Sequence, residues 1–140
     1  MKRLSFIMTL FVMSLVIVSC GQAGGNQVKE ETGEGIVQVM YFHGKQRCAT
    51  CQAMEELTKA LLDSEYQTEL QEGKLKFRVV DFSEPEGEAV ADRYEVAFSS
   101  LLLDKDGQIV DLTDMGFRYA RTEPETFKAN LKTEIDQLLK

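Results

Sequence analysis

Four segments of the chain have the alternating or continuous apolar pattern that is typical of β-strands. They are Ile36–Phe42, Leu75–Phe82, Ser99–Leu103 and Gln108–Leu112. Asp106-Gly107 separates the last two segments and suits a tight two-residue turn, so it predicts a β-hairpin there. The pattern therefore predicts a sheet of about four strands, with its last two strands antiparallel.

The segment that follows the first strand changes to helical spacing. Met54, Leu57 and Leu61 recur at intervals of three and four residues, which predicts a helix from about Cys48. We expect this helix to continue into the 62–73 region and to end at Gly73, because glycine commonly stops helices.

Two further helices are predicted from their first residues. Ser83–Glu86 and Thr122–Glu125 each have a hydroxyl residue followed three positions later by glutamate, which is the capping-box pattern. The first of these helices passes through Ala89–Tyr94. The apolar face of the second is predicted to pack on the core, and it consists of Phe127, Leu131, Ile135 and Leu138.

The predicted element order is β-α-β-α-β-β-α. Strands joined through a helix run parallel, whereas the strands of a tight hairpin run antiparallel. These rules predict an α/β domain with a mixed central sheet that is covered by helices on both faces.

The N-terminus is predicted to be a secretory leader. Met1–Arg3 is cationic, and Phe6–Val18 is an apolar run of 13 residues, shorter than the roughly 20 that span a bilayer. The run closes on Ile17–Gly21, which resembles a bacterial lipobox with isoleucine at a position that is usually leucine. The resemblance implies a signal peptide over residues 1–19 and lipidation at Cys20. An ordinary cleaved signal and an uncleaved anchor are the alternatives.

Residues 20–35 are rich in Gly, Gln and Glu and predict a flexible tether, which leaves one domain over residues 36–140. The lipid would hold that domain to a membrane of the cell envelope, facing the periplasm. The full chain carries a net charge of −7, and loss of Lys2 and Arg3 with the leader brings it to −9. This charge makes nucleic acid and anionic lipid surfaces poor partners.

Candidate chemistry lies in Cys48-Ala49-Thr50-Cys51, at the predicted start of the first helix. Cysteines at i and i+3 can form a disulfide, and a helix N-terminus stabilises a thiolate. We predict that Cys48 is the nucleophile, with Lys45 and Arg47 lowering its pKa, and that Cys51 is the more buried resolving thiol. Half a zinc site has the same spacing, but the second half is missing.

Other interpretations of these residues stay open. In the first, the two cysteines form an inert disulfide that only staples the start of the helix. In the second, Lys45 and Arg47 are ordinary solvated charges of the loop. A third makes the dithiol a site for a soft metal or metalloid ion, with His43 as a further ligand. His43 also suits a proton shuttle or a structural role. A redox-silent adaptor is the last alternative.

Element order, lengths and cysteine position resemble the thioredoxin fold over residues 36–140. Three positions depart from that family. Ser99 replaces the cis-proline, Phe42 replaces a buried carboxylate, and Arg47 replaces an aromatic residue. The resemblance implies a substrate-facing loop at Phe98, Ser99 and Ser100, and it leaves open whether the bond before Ser99 is cis.

The leader together with the segment Tyr41–Cys51 resembles a narrower family of Bacteroides-type lipoproteins, described as subunits of a nitrophenyl-compound nitroreductase. Nitro reduction normally uses a flavin or metal cofactor, and the sequence has no glycine-rich dinucleotide loop. We therefore expect no cofactor on this chain. The predicted function is thiol–disulfide exchange with partner proteins, supplying reducing equivalents to a partner that holds the cofactor.

Overall fold

The computed structural model describes residues 33–140. The predicted signal peptide, Cys20 and most of the predicted tether lie outside the described residues. In chain order the elements are β1 (Val37–His43), α1 (Ala49–Glu65), α2 (Gln67–Gln71), β2 (Leu75–Asp81), α3 (Pro85–Arg93), β3 (Ser100–Lys105), β4 (Gln108–Asp111), α4 (Thr113–Tyr119) and α5 (Pro124–Leu138). None of the helices from residue 33 onward has the length and apolar character needed to cross a membrane.

The sheet is mixed, as the sequence predicts. Its strand order is β2-β1-β3-β4, with β1 parallel to β2 and antiparallel to β3, and with β3 antiparallel to β4. The predicted hairpin turn is confirmed, because Asp106 and Gly107 have φ of 55° and 85°. Two successive positive φ angles match the twist of antiparallel strands, and Asp and Gly adopt them at low cost.

Strand β1 lies in the middle of the sheet and contributes to a core on each face. Val37, Val39 and Tyr41 are fully buried in the larger core, which they share with residues of α1 and α5. Met40 and Phe42 point the other way and pack with residues of α3. All four residues of the predicted α5 face are buried, which confirms that face: Phe127, Leu131, Ile135 and Leu138.

The single long helix that the sequence predicts between the first two strands is two helices. Tyr66 ends α1 with φ −126° and ψ 25°, and α2 begins at the next residue. The Tyr66 hydroxyl donates a 2.7 Å hydrogen bond to Asp136 Oδ1 in α5, so a contact between helices accompanies the break. Gly73, at φ 72°, follows α2 and ends the helical region as predicted.

Helix α4 is absent from the sequence-based prediction. It has only seven residues, too few for the apolar spacing of a helix to become recognisable. The Asp111 carboxylate accepts a 2.8 Å bond from the Thr113 N–H, and this bond turns the chain from β4 into the helix. Gly116 then permits close packing, because a Cβ there would lie 2.2 Å from Met54 Sδ in α1.

The two predicted capping boxes are wrong. Glu84 and Glu123 occupy the N-cap positions, and neither side chain caps its helix. The following residue is proline in both cases, and proline is preorganised for the first position of a helix. The hydroxyls of the predicted caps bond elsewhere: Ser83 Oγ donates to Asp81 Oδ1 at 2.6 Å, and Thr122 Oγ1 donates to a backbone carbonyl.

Helix α3 approaches β2 closely at Gly87. A Cβ on Gly87 would lie 1.9 Å from the Asp81 carbonyl oxygen, a backbone atom that cannot rotate away. Glycine is required here by space, since the residue lies inside a helix where it otherwise costs stability.

We expect Gly87→Ala to lower the free energy of unfolding by at least about 2 kcal/mol, because the added methyl overlaps a backbone carbonyl. Glu88→Ala, at the exposed neighbouring position, should change it by less than about 0.5 kcal/mol. Urea denaturation of both variants measures the difference. Equal stability of Gly87→Ala and the wild type would contradict the close packing of α3 on β2.

Candidate active site

The two cysteines form a disulfide at the start of α1. Cys48 is the N-cap residue, in an extended conformation, and its Sγ accepts a 3.0 Å hydrogen bond from the Cys51 N–H. The Cys48–Cys51 Cα separation is 5.0 Å, within the range that disulfides span. Sulfur thus takes the place of the oxygen that usually caps a helix, so the Cys48 side chain also orders the first turn of α1.

The two sulfur-bearing residues differ in exposure. Cys48 is exposed, whereas Cys51 is 5% exposed and belongs to the buried side of α1. A partner thiol or disulfide therefore has direct access to Cys48. The N–H that reaches Cys48 Sγ would also stabilise a thiolate there, because hydrogen bonds and a helix N-terminus favour the charged form.

Tyr41 is the buried polar residue next to this pair. Its side chain is fully buried, and its hydroxyl donates a 2.7 Å hydrogen bond to the Cys51 carbonyl. Polar groups of Arg47 and Ser99 flank the same hydroxyl, and burial raises the pKa of Tyr41 above its ordinary value. The hydroxyl thus joins β1, α1, the loop before α1 and the loop before β3.

The Arg47 side chain contacts two neighbours, Glu55 and Tyr41. Its Nη2 forms an ion pair with Glu55 Oε2, and its guanidinium carbon lies 5.7 Å from the centre of the Tyr41 ring. Its Nε is buried without a hydrogen-bond partner. Glu55 is partly buried, and its pairing with Arg47 means that Arg47 is not a free solvated charge in this structure. Lys45 is exposed in the same loop.

His43 lies at the end of β1 and has contacts of its own. Its ring stacks on Tyr41 with centroids 6.0 Å apart, and its Nδ1 is 3.1 Å from the Gly44 carbonyl and 4.0 Å from Asp81 Oδ1. Across residues 33–140 there is no cluster of three or more His, Cys, Asp or Glu side chains arranged to hold a metal ion. The three-ligand site with His43 and both cysteines is therefore not assembled in this structure.

The predicted substrate-facing loop has three different environments. Phe98 is 62% exposed, and Ser99 reaches the Tyr41 hydroxyl beside Cys51. Ser100 is buried and pairs with Phe42, on the sheet face that packs on α3. All peptide bonds of the described residues are trans, so the bond before Ser99 is trans. The role of this loop in substrate binding stays a prediction.

Tyr41 is a site residue that the sequence pattern does not single out. Phe42, six residues before Cys48, faces α3 and not the disulfide. The alternation of side chains along β1 places Tyr41 with Val37 and Val39, on the face that packs against α1. That alternation was the available signal, because it assigns the only polar group of the set to the cysteine side.

The fold and this site can be compared with known proteins. No protein-family model matches the chain, and no curated protein matches it. Among solved structures, Trxlp from Edwardsiella tarda is similar at 20% identity with a TM-score of 0.51, over 71% of this chain and 85% of that one. A thioredoxin from Thermus thermophilus has 20% identity and a TM-score of 0.42, over 74% of each chain.

The likeness to Trxlp concerns the fold, and the protein has an α/β thioredoxin-like fold. What the site can do chemically follows from its own geometry. An exposed sulfur bonded to a buried one can accept a nucleophilic thiolate from outside, and the released sulfur stays nearby to reverse the reaction. The arrangement is therefore suited to thiol–disulfide exchange.

Three buried or partly buried tyrosines predict an alkaline limit to stability. Burial and the bond to Asp104 raise the pKa of Tyr94 to about 12, and burial also raises the pKa of Tyr41 and Tyr66. An unfolded tyrosine ionises near pH 10, before the folded one does, so the stabilisation is complete below pH 10 and is lost as the pH rises towards 12. We expect the urea midpoint of the oxidised protein to fall over this range.

Tyr94→Phe is the matched variant for this measurement. It removes the 2.6 Å hydrogen bond to Asp104 and should cost about 1 kcal/mol at pH 7. Its midpoint should then fall less steeply than that of the wild type above pH 10, because one titrating group is gone. A wild-type midpoint that is constant from pH 9 to pH 11.5 would refute the prediction.

Proposed function

We propose that this protein exchanges disulfides with partner proteins through Cys48 and Cys51. The observation that carries the proposal is the disulfide between an exposed Cys48 and a buried Cys51 at the first turn of α1. A disulfide that only stapled the helix would not need one sulfur accessible to partners. The thioredoxin-like fold around it is consistent with this function.

The exchange balances without any further reagent. In the reducing direction, the Cys48 thiolate attacks one sulfur of a partner disulfide, and the other partner sulfur leaves as a thiolate and takes a proton from water. The Cys51 thiolate then attacks Cys48 Sγ, so the Cys48–Cys51 bond forms, the bond from Cys48 to the partner breaks, and the second partner sulfur leaves as a thiolate that is protonated by water. The partner gains two electrons and the cysteine pair loses two.

The proposal extends to a nitroreductase system. Its support is the resemblance of the leader and of Tyr41–Cys51 to lipoproteins described as nitrophenyl-compound nitroreductase subunits. Thiol exchange moves electron pairs between sulfurs, whereas nitro reduction normally requires a flavin or metal cofactor. This protein would therefore supply reducing equivalents to a partner subunit that carries out the nitro chemistry.

The roles of the two cysteines can be separated by trapping. We expect Cys51→Ser to accumulate mixed disulfides with partner proteins, since the attacking thiol remains and the resolving thiol is missing. Cys48→Ser should trap at least about tenfold less, because Cys51 is buried. Non-reducing electrophoresis with mass spectrometry of the trapped cysteine measures both. Equal trapping by the two variants, or none by either, contradicts the assignment.

The proposed location is the cell envelope, with a lipid on Cys20 and the domain facing the periplasm. Its support is the leader, the lipobox-like Ile17–Gly21 and the polar segment 20–35. An acidic chain has little electrostatic attraction to anionic lipids, so attachment would come from the acyl chains.

We expect the full-length protein in the membrane fraction, released by detergent and not by high salt, because hydrophobic anchoring is insensitive to screening. Cys20→Ala should abolish lipid attachment and leave an unprocessed or mislocalised precursor. Fractionation and intact-mass measurement of the mature N-terminus check both outcomes. Wild-type protein in the soluble periplasm, with an N-terminus other than Cys20, would refute lipidation without affecting the proposed exchange chemistry.

A further inference from the structure

The hydrogen bond from Tyr41 to Cys51 differs from the two restraints on this turn that involve sulfur. Besides the backbone bond from the Gln52 N–H to the Cys48 carbonyl, the first turn of α1 is held by the Cys48–Cys51 disulfide, by the bond from the Cys51 N–H to Cys48 Sγ, and by the Tyr41 hydroxyl on the Cys51 carbonyl. The first two depend on the position and chemical state of the Cys48 sulfur. The third involves no sulfur at all.

Exchange chemistry breaks the internal disulfide midway and weakens the cap at Cys48 Sγ, because that sulfur is then bonded to a separate molecule. Once Cys48 is bonded to a partner, the internal disulfide is open and Cys48 Sγ is committed to another molecule. A helix end without its cap tends to fray, because the first N–H groups have no partner within the helix. Cys51 lies in this first turn and must still reach Cys48 Sγ for the reaction to finish.

The position of the Tyr41 hydroxyl does not depend on the disulfide. It is fully buried in the central strand β1, where it pairs with Val79 of β2 and Leu101 of β3. Arg47 and Ser99 flank its hydroxyl from two loops. The hydroxyl is therefore fixed by the sheet and not by α1, and it can hold the Cys51 backbone when the disulfide does not.

We propose that Tyr41 is a positioning residue for the second step of exchange, holding Cys51 for its attack on the mixed disulfide at Cys48. The inference rests on the proposed exchange function. In this step the Cys51 thiolate forms the Cys48–Cys51 bond, the bond from Cys48 to the partner breaks, and the partner thiolate leaves and is protonated by water. Tyr41 exchanges no proton or electron and acts only through the Cys51 carbonyl.

The experiment follows the full-length reduced protein with oxidised glutathione as the disulfide. Acid quenching and mass spectrometry count the glutathione adduct on Cys48 separately from any on Cys20, which gives the rates of its formation and of its resolution. Tyr41→Phe should leave formation within about twofold of the wild type and slow resolution about fivefold, the value of one ordinary hydrogen bond. The adduct should therefore accumulate to a higher level.

Tyr66→Phe is the matched control. Tyr66 is also buried, and its hydroxyl donates to Asp136 at the other end of α1, so its loss reduces stability without touching the cysteines. We expect both rates to equal those of the wild type in this variant. Tyr41→Met, which also lacks the hydroxyl, takes the place of Tyr41→Phe if that variant fails to fold, and it should also slow resolution alone.

Three outcomes overturn the inference while the exchange function stands. They are an unchanged resolution rate in the test variant, equal slowing of both steps, and the same slowing of resolution in Tyr66→Phe. If the wild-type protein formed no glutathione adduct on Cys48, the proposed exchange function itself would be wrong. Failure of the inference and failure of the function on which it rests are therefore distinguishable.

Discussion

The contact between the first turn of α1 and strand β1 is the constraint on which the rest of the site depends. The Tyr41 hydroxyl and the Cys51 carbonyl meet at 2.7 Å across this contact, with Cys51 buried beneath the turn and Cys48 exposed above it. Because β1 lies between two strands and carries a core on each face, it holds the Tyr41 side chain in a fully buried position. The asymmetry between the two sulfurs follows from this docking.

The positive charge that the sequence places next to Cys48 is partly neutralised in the structure by a glutamate. Arg47 is adjacent to Cys48 in the chain, but its guanidinium is paired with Glu55 and lies over the Tyr41 ring. A paired cation has a weaker field at a neighbouring sulfur than a free one. The Cys51 N–H and the N-terminus of α1 are therefore the principal groups that favour a Cys48 thiolate, with Lys45 as an exposed charge in the same loop.

The loop before β3 contains a serine whose side chain lies near the Tyr41 hydroxyl. Its bond before Ser99 is trans, and Ser99 turns inward to the Tyr41 hydroxyl while Phe98 is left exposed. Serine at this position therefore contributes a polar contact that a proline would lack. The polar groups of Tyr41 and Ser99 therefore lie next to each other near Cys51, and the exposed ring of Phe98 lies on the same loop as Ser99.

The sequence alone determined the strands, the hairpin, the buried face of α5 and the position of the cysteine pair, because each depends on local spacing or on turn residues. It did not reveal α4, because that helix is too short to show helical spacing. It also missed the break at Tyr66, which is accompanied by a hydrogen bond to a distant helix, and the helix starts at Pro85 and Pro124, which depend on the geometry of proline. Only the tertiary structure decided that the Tyr41 hydroxyl meets the Cys51 carbonyl and that Arg47 pairs with Glu55 eight residues away. Such contacts join elements whose relative placement depends on packing of the whole domain, which no local pattern encodes.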